Sequence, residues 1–213
     1  MKTDTYKPLP AGTTTVAGVI LAAGCGRRMG TAAGRPKQLL PFRGAPLLSH
    51  VMASARASRL APLCLVLGHR AAEIEAQVEL GGMAVVVNTD YGAGQAGSLV
   101  TGLARVRGRC SAAMFLLGDQ PLVTADLIDT LIDAHEKKGA PVTVPTFEGR
   151  RGNPVILADS LFPEVMRLTG DTGARALFEA HWEEIQRVSV DDPAVLMDVD
   201  DPADYERLLT YEP

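Results

Sequence analysis

Val19-Ile-Leu-Ala-Ala-Gly24-Cys-Gly26-Arg-Arg28-Met-Gly30 decides the fold class of this chain. An apolar run ends in small residues and glycines, and two arginines follow. An apolar strand feeding a glycine-rich turn is how α/β proteins hold phosphates. Backbone N–H groups point into the turn, and glycine lets the phosphate approach closely. Further on, Pro36-Lys37-Gln-Leu-Leu-Pro41 brings a lysine. Lys37 and Arg28 supply the positive charge that a triphosphate needs.

The spacing argues against the two commonest glycine loops. No G-x-x-x-x-G-K-[ST] string occurs. Gly24, Gly26 and Gly30 read G-x-G-x-x-x-G, where a dinucleotide fingerprint reads G-x-G-x-x-G. That fingerprint also wants an acid after the second strand, to hold a ribose. Here the second strand ends in Gly68-His69.

Outward from this segment, apolar runs alternate with helical patterns. Strands are expected at Val16–Leu21, Leu63–Leu67, Ala84–Val87, Ala112–Leu117 and Val142–Pro145. Helices are expected at Pro46–Ser58, Ala71–Leu80, Gly97–Val106 and Ala125–Lys138, the last capped by Thr124. Continuous apolar strands separated by helices predict a parallel sheet covered on both faces, with sites at the carboxyl ends of strands. Gly24–Gly30, Asn88 and Gly118-Asp119 all follow strands. Residues 146–157 break the alternation and read as a hairpin-like excursion with glycines at its bend. Beyond it, Leu161–Leu168 and Gly173–Glu183 read as helices and Arg187–Val190 as a strand. A strand ending near Val199 is expected to rejoin the main sheet, before a closing helix over Pro202–Leu209.

The composition narrows the classes further. With 213 residues, 46% of them hydrophobic, one sizeable core can form. A formal charge of −4 argues against a nucleic-acid partner. No apolar stretch approaches the 18 or so residues of a membrane span. Residues 1–15 are polar, lack a signal peptide's apolar core and read as a flexible tail. Residues 16–213 read as one domain. Three cysteines without metal spacing and four scattered histidines suit a reducing cytoplasm and no zinc site.

The ordered motifs resemble a known family. Gly24–Gly30 with Lys37 is similar to the opening of sugar-nucleotide and molybdenum-cofactor nucleotidyltransferases. Leu116-Leu-Gly-Asp119-Gln-Pro121 resembles their metal-binding turn, and Asn88…Gly94…Ser98 their base-and-ribose segment. Gly149-Arg-Arg-Gly152-Asn153-Pro154 and Gly170-Asp171-x-Gly173-Ala-Arg175 resemble the acceptor half of molybdenum cofactor cytidylyltransferases, of the MocA-like or MobA-like NTP transferase type. Asp198-Val-Asp200-Asp-Pro202-x-Asp204 resembles their closing segment. Methylerythritol-phosphate cytidylyltransferases share Pro-Lys-Gln, but they place other residues where Leu-Gly-Asp-Gln-Pro stands here. A departure is the insertion Thr31-Ala-Ala-Gly-Arg-Pro36 before the lysine.

The resemblance implies a three-layer, Rossmann-like α/β nucleotidyltransferase fold, with a mostly parallel central sheet and a small hairpin excursion. Residues 16–120 would mainly bind nucleotide and 121–213 mainly the acceptor. It implies transfer of CMP from CTP to the phosphate of molybdopterin with release of pyrophosphate. Lys37 and Arg28 are the catalytic cations. Leu21, Ala22, Ala23, Gly24, Gly26, Asn88, Gly94 and Ser98 complete the nucleotide site. Asp119 and Asp200 hold Mg²⁺ or Mn²⁺, a hard cation that takes carboxylate and phosphate oxygens. Alternation along the expected strand puts Asp198 on the same face, with Asp200 the favoured ligand. Arg151, Asn153, Asp171 and Arg175 face the acceptor, although Asp171 and Arg175 equally suit a structural pair at a helix start. A recipient molybdoenzyme or its chaperone is an expected partner. Leu-Ala-Ala-Gly resembles cytidylyltransferases, whereas guanylyltransferases resemble Leu-Ala-Gly-Gly. Two alternatives stand beside this reading: a nucleotidyltransferase for another phosphorylated small molecule, and a non-catalytic nucleotide-binding or cofactor-delivery protein.

Overall fold

The computed structural model describes residues 15–29, 34–170 and 175–212, without the side chains of 175 and 176. The chain runs β1 (Val16–Ala22), a short hairpin of β2 (Pro41–Phe42) and β3 (Ala45–Pro46), α1 (Leu47–Ala57), β4 (Leu63–Leu67), α2 (Ala71–Glu75), β5 (Ala84–Val87), α3 (Gln95–Val106) and β6 (Ala112–Leu117). It continues through α4 (Ala125–Lys138), β7 (Val142–Phe147), β8 (Arg150–Arg151), β9 (Val155–Ala158), α5 (Phe162–Val165), α6 (Arg175–Ala180), β10 (Ile185–Ser189) and α7 (Pro202–Leu209).

The main sheet has the order β10-β7-β9-β6-β1-β4-β5, with β8 paired to β7. β1 lies parallel to both β4 and β6, β4 to β5, and β7 to β10. Only β9 enters this path antiparallel, between β6 and β7. The fold is therefore a mostly parallel α/β sheet, as expected.

Period-two alternation divides the core into two layers. On one face Ile20, Leu65, Met114 and Ile156 pack with Leu48, Val51 and Met52 of α1 and Ile128 and Leu131 of α4. On the other, Val19, Val66, Ala113 and Leu157 pack with Leu99 and Leu103 of α3, and with α5 and α6. A side chain at Gly102 of α3 would put its Cβ 2.3 Å from Val19 Cγ1, so only glycine lets α3 lie this close to β1. Burial pushes the thiols of Cys64 and Cys110 up to about 11, which makes them apolar filler in that layer.

The expected helix starts and stops hold where caps are strong. Thr124 Oγ1 accepts from the Leu127 N–H at 3.2 Å, and Gly139 ends α4 with φ 64°. α7 spans the expected Pro202–Leu209 behind a capping box of Asp201 and Asp204.

Four expectations need correction. The helix from Ala71 stops at Glu75, and Val78 and Leu80 reach the core from an irregular segment. The helices expected over Leu161–Leu168 and Gly173–Glu183 shrink to α5 and α6 with short 3₁₀ turns beside them. The excursion at 146–157 is only partly a hairpin. β7 and β8 turn at Glu148 and Gly149, both at positive φ, and β9 then inserts into the main sheet. That insertion explains the fourth correction. No strand leads to Val199, because β6 already has β1 and β9 on its two sides. The Val199 N–H instead donates to Asp119 O, in the turn after β6, at 3.2 Å. Asp198 and Asp200 are thus not two residues of one strand face.

Candidate active site at the ends of β1 and β6

The order of the sheet reverses at β1, which has the earlier-formed crossover to β4 on one side and the later strand β6 on the other. Open α/β sheets leave a crevice at such a point, outside the carboxyl ends of the strands. Here β1 runs into the glycine turn and β6 into Gly118-Asp119. The Gly118 N–H donates to Leu21 O at 2.9 Å and holds the two ends side by side.

Four charged side chains meet in that crevice from four separate segments. Lys37 Nζ lies 2.5 Å from Asp119 Oδ2 and 3.2 Å from Asp200 Oδ1. The second Asp200 oxygen lies 3.0 Å from Arg28 Nη2. Arg28 is 74% exposed, whereas the Lys37 side chain is only 9% exposed. The outer cation is free to follow a ligand, and the inner one is enclosed.

Local sequence explains how these groups are held. Three of the four charged residues have an apolar anchor in their own short segment. Met29 follows Arg28, Leu40 closes the turn that carries Lys37, and Val199 precedes Asp200. Met29, Leu40 and Val199 are buried together with Phe42, Leu47 and Leu208 in one small cluster. Anchor and charge together aim three side chains at one point, with Arg28 and Lys37 on single 3₁₀ turns and Asp200 on an irregular segment. Asp204 adds a brace, since its Oδ2 accepts from the N–H groups of Asp200 and Asp201 at 2.9 and 3.0 Å.

The electrostatics follow from this arrangement. Burial acts to lower the Lys37 pKa, but the facing carboxylates of Asp119 and Asp200 outweigh it, and the ammonium ends above its ordinary value. Burial raises the Asp198 carboxyl, and repulsion from Asp119, Asp200 and Asp204 adds to it. Asp198 lines a separate cleft of about 300 Å³ with Phe147, Arg150, Met197 and Arg207.

The site fits a hard divalent cation. Asp119 Oδ1 is buried and has no hydrogen-bond partner. Asp119 and Asp200 converge on a single atom, Lys37 Nζ. Among the described residues no group of three or more His, Cys, Asp or Glu gathers to form a closed cage. Two carboxylates with room for phosphate oxygens is the usual arrangement for Mg²⁺ on a nucleotide.

The remaining expected nucleotide residues lie at or beyond the carboxyl ends of β1 and β5. Leu21 and Ala22 end β1, Ala23 and Gly24 follow it, and Gly26 turns at φ 58°. Asn88, Gly94 and Ser98 form one unit. The Asn88 amide donates to Ser98 Oγ at 3.1 Å, its Oδ1 accepts from the Asp90 N–H, and Gly94 opens α3 with φ 117°. Of the acceptor residues, Arg151 lies with its guanidinium carbon 3.8 Å from the centre of the Phe178 ring. The Asn153 N–H donates to Val195 O at 2.9 Å. Asp171 lies outside the described residues, and Arg175 starts α6 with its side chain outside them.

Sequence reasoning missed three residues. Gln38 is buried, and its Nε2 donates to Ala22 O at 3.0 Å and Gly24 O at 3.1 Å, so one amide grips the passage from β1 into the glycine turn. Its signal was a polar residue inside Lys37-Gln-Leu-Leu, whose apolar neighbours face the core. Gln120, also buried, donates to Val195 O at 3.5 Å and so shares that carbonyl with Asn153. His69 donates its N–H to Ala23 O at 3.1 Å, and its ring meets Tyr91 edge-on at 5.6 Å. Nothing in the sequence pairs that histidine with that tyrosine.

The family described as MobA-like NTP transferase domain matches residues 18–185. Nicotine blue oxidoreductase of Paenarthrobacter nicotinovorans is 28% identical over 91% of this chain and 96% of its own length. The bifunctional protein GlmU of Synechococcus sp. is 40% identical over 60% of this chain, which spans 28% of that relative. The crystal structure of Rv0371c from Mycobacterium tuberculosis superposes with a TM-score of 0.82 and 34% identity, covering 93% of this chain and 98% of that one. A second crystal structure of Rv0371c, in complex with manganese, gives 0.79 and 33%, covering 93% and 100%. The chain belongs to the MobA-like NTP transferase family. Among the described residues no helix is long and apolar enough to cross a membrane.

Proposed function

We propose that this member of the MobA-like NTP transferase family transfers CMP from CTP to the phosphate of molybdopterin and releases pyrophosphate. The observation that carries the reading is the convergence of Lys37, Asp119, Asp200 and Arg28 at the switch point of the sheet. An acceptor phosphate oxygen attacks the α-phosphorus, the bond to the bridging oxygen breaks, and that oxygen leaves with the pyrophosphate. The nucleophile is already anionic, so no strong base is needed. The difficulty is bringing two anions together, which makes positioning and electrostatics the main sources of rate.

Each residue has a part in that task. The N–H groups of the glycine turn and the mobile Arg28 bind the β- and γ-phosphates. Lys37 moves against the α-phosphate, where charge develops as the bond forms. Asp119 and Asp200 hold Mg²⁺ or Mn²⁺, which supplies Lewis-acid neutralisation of phosphate oxygens when bound. The Asn88–Ser98 unit and the end of β1 form the base pocket. Arg151, Asn153, Asp171 and Arg175 face the pterin, and the shared Val195 carbonyl ties Asn153 to the turn carrying Asp119. The choice of cytosine is supported by Leu21-Ala22-Ala23-Gly24, and the acceptor by the order of motifs from Gly149 to Arg175.

Nicotine blue oxidoreductase, similar along nearly the whole chain, favours a second reading as an oxidoreductase on a pigment of that kind. Phosphoryl chemistry better explains a lysine and arginine placed against two carboxylates. Pyrophosphate release with CTP or GTP and molybdopterin, run beside an assay for turnover of nicotine blue with nicotinamide and flavin reductants, separates the two. We expect pyrophosphate, with CTP preferred over GTP at least about tenfold in kcat/KM. Equal use of GTP removes the cytidylyl assignment. Pigment turnover without pyrophosphate replaces the transferase reading.

A further inference from the structure

We propose that the Lys37 ammonium and the divalent cation compete for the same two carboxylates, so that the triphosphate, by drawing Lys37 to itself, is what opens the metal site. The inference rests on the metal reading above and adds an order to it: metal and nucleotide bind as one coupled event.

The geometry of the four carboxylate oxygens carries the argument. Asp119 Oδ2 and Asp200 Oδ1 are both within hydrogen-bond distance of Lys37 Nζ, and Asp200 Oδ2 is held by Arg28. Among the described residues, only Asp119 Oδ1 of these four oxygens is without a partner, and it is buried. A Mg²⁺ or Mn²⁺ ion must come within about 2.1 Å of its oxygens. An ion on the oxygens that Lys37 now bonds would stand in contact with the ammonium. Two like charges at that range inside a shielded crevice repel by more than a surface pair would. Ammonium and cation therefore exclude each other at these atoms.

The structure also shows which part can move. The backbone of Lys37 is fixed on both sides. The Leu40 N–H donates to Lys37 O at 3.0 Å, and Gln38 is tied to the glycine turn. The four-carbon stem is flexible, so the ammonium can swing while the turn stays in place. A swing away from two carboxylates is costly unless another anion receives the charge, because an unpaired buried charge is strongly unfavourable. The glycine turn beside it is where an anionic triphosphate would provide that partner. Arg28, mostly exposed, can follow the same anion without that cost.

The test is Mn²⁺ binding to the full chain with no nucleotide present, read by electron paramagnetic resonance of the free ion and by the melting temperature with and without Mn²⁺. Lys37→Met removes the competitor, and Lys37→Gln removes its charge while keeping a donor. We expect both variants to bind Mn²⁺ about tenfold or more tightly than the wild type, within the usual range of coupling between two ligands. Mn²⁺ should also raise their melting temperatures more than that of the wild type. Adding Asp119→Asn should remove the gain. Variants that fold only in the presence of Mn²⁺ would support the proposal as well, since the metal then replaces the ammonium. Equal Mn²⁺ affinity in wild type and both variants, still lost with Asp119→Asn, overturns the competition and leaves the metal site standing. Mn²⁺ binding indifferent to Asp119→Asn overturns the competition together with the metal reading.

Discussion

The two sides of the sheet place charge in opposite ways. Around β1 and β6, three of the four functional charges have a buried apolar anchor in their own segment, and the inner cation is shut away between two carboxylates. Around β7 and β8, Arg150 and Arg151 are exposed on a two-residue strand at the rim, and Arg151 rests on an aromatic ring. Under the proposed function, the difference suits two recognition problems. Triphosphate chemistry is the same in every turnover, and preorganised charge gives the most rate. An acceptor is bound by its shape and phosphate, for which a rim arginine on a hairpin is adaptable. The contrast yields an expectation: substitutions near β6 act on rate, and those near β8 act on acceptor affinity or on local stability.

The largest effect should come from Asp119→Asn. It keeps the size of the side chain and removes charge from the residue whose buried Oδ1 lacks a partner. We expect kcat/KM to fall by about 10³ or more with the melting temperature little changed, since a misplaced or missing preorganised charge costs on this scale. Activity that survived both Asp119→Asn and EDTA would show that the carboxylates only restrain Lys37. The contrast between the two sides would then rest on structure alone.

Lys37→Ala comes next. Its loss should lower kcat by roughly 10², with a smaller change in KM, because charge grows on the α-phosphate only as the bond forms. If the same substitution tightens Mn²⁺, rate and metal affinity will have moved in opposite directions. That outcome sharpens the distinction between holding a metal and using it. A variant that kept its kcat and lost only CTP affinity would move Lys37 to a ground-state role.

These two predictions concern residues that a reader of the sequence could name, and the reason is physical. Strand-to-turn boundaries are local, so Val19–Gly30 and Leu116–Pro121 announce a strand end and its turn by composition alone. Asp200 was also identified, but through a strand that does not exist. The motif was legible while its element was not, because the place beside β6 is taken by β9, which arrives from forty residues further along the chain. The antiparallel entry of β9 has no local signal, since Val155–Ala158 reads as an apolar run whichever way it is inserted. Asp171 and Arg175 were legible only as part of a motif. Gln38, by contrast, was overlooked for want of a charge, although its amide joins the two most readable segments of the chain.

Gln38 gives a smaller effect on the nucleotide side. Gln38→Met keeps most of the volume and leaves the carbonyls of Ala22 and Gly24 without their donor. A turn that loses this grip should hold phosphate less well, and we expect KM for the nucleotide to rise by about tenfold while kcat changes little. A buried carbonyl left unmade costs about 1–3 kcal/mol, so the melting temperature should fall as well. Restoring the donor with Gln38→His would separate a lost bond from lost packing. Unchanged KM in Gln38→Met would mean that the glycine turn keeps its shape without help.

The smallest effect belongs to the acceptor side, and it depends on pH. His181, after α6, meets Glu184 Oε1 at 3.0 Å and Glu164 Oε2, within α5, at 2.8 Å. Hydrogen bonds to Glu184 and then Glu164 raise its pKa above the ordinary 6.5. A raised value means that the folded chain holds this proton more tightly than the unfolded one. The contribution is therefore complete below about pH 6.5 and fades as pH rises through the folded value. Both glutamates are about half exposed, so solvent screens the pair and its worth stays under about 1 kcal/mol. In a chain of this length that corresponds to a melting shift of about 2–4 °C. The wild type should lose that margin between mildly acidic and mildly alkaline buffer, and His181→Gln should lack that loss, leaving the opposite contribution of His135, whose pKa burial lowers. Pyrophosphate release measured at saturating CTP should not follow the same curve, because His181 contacts none of the four charged groups in the crevice. A pH-dependent rate that disappeared in His181→Gln would join the two sides of the sheet and break the contrast between them.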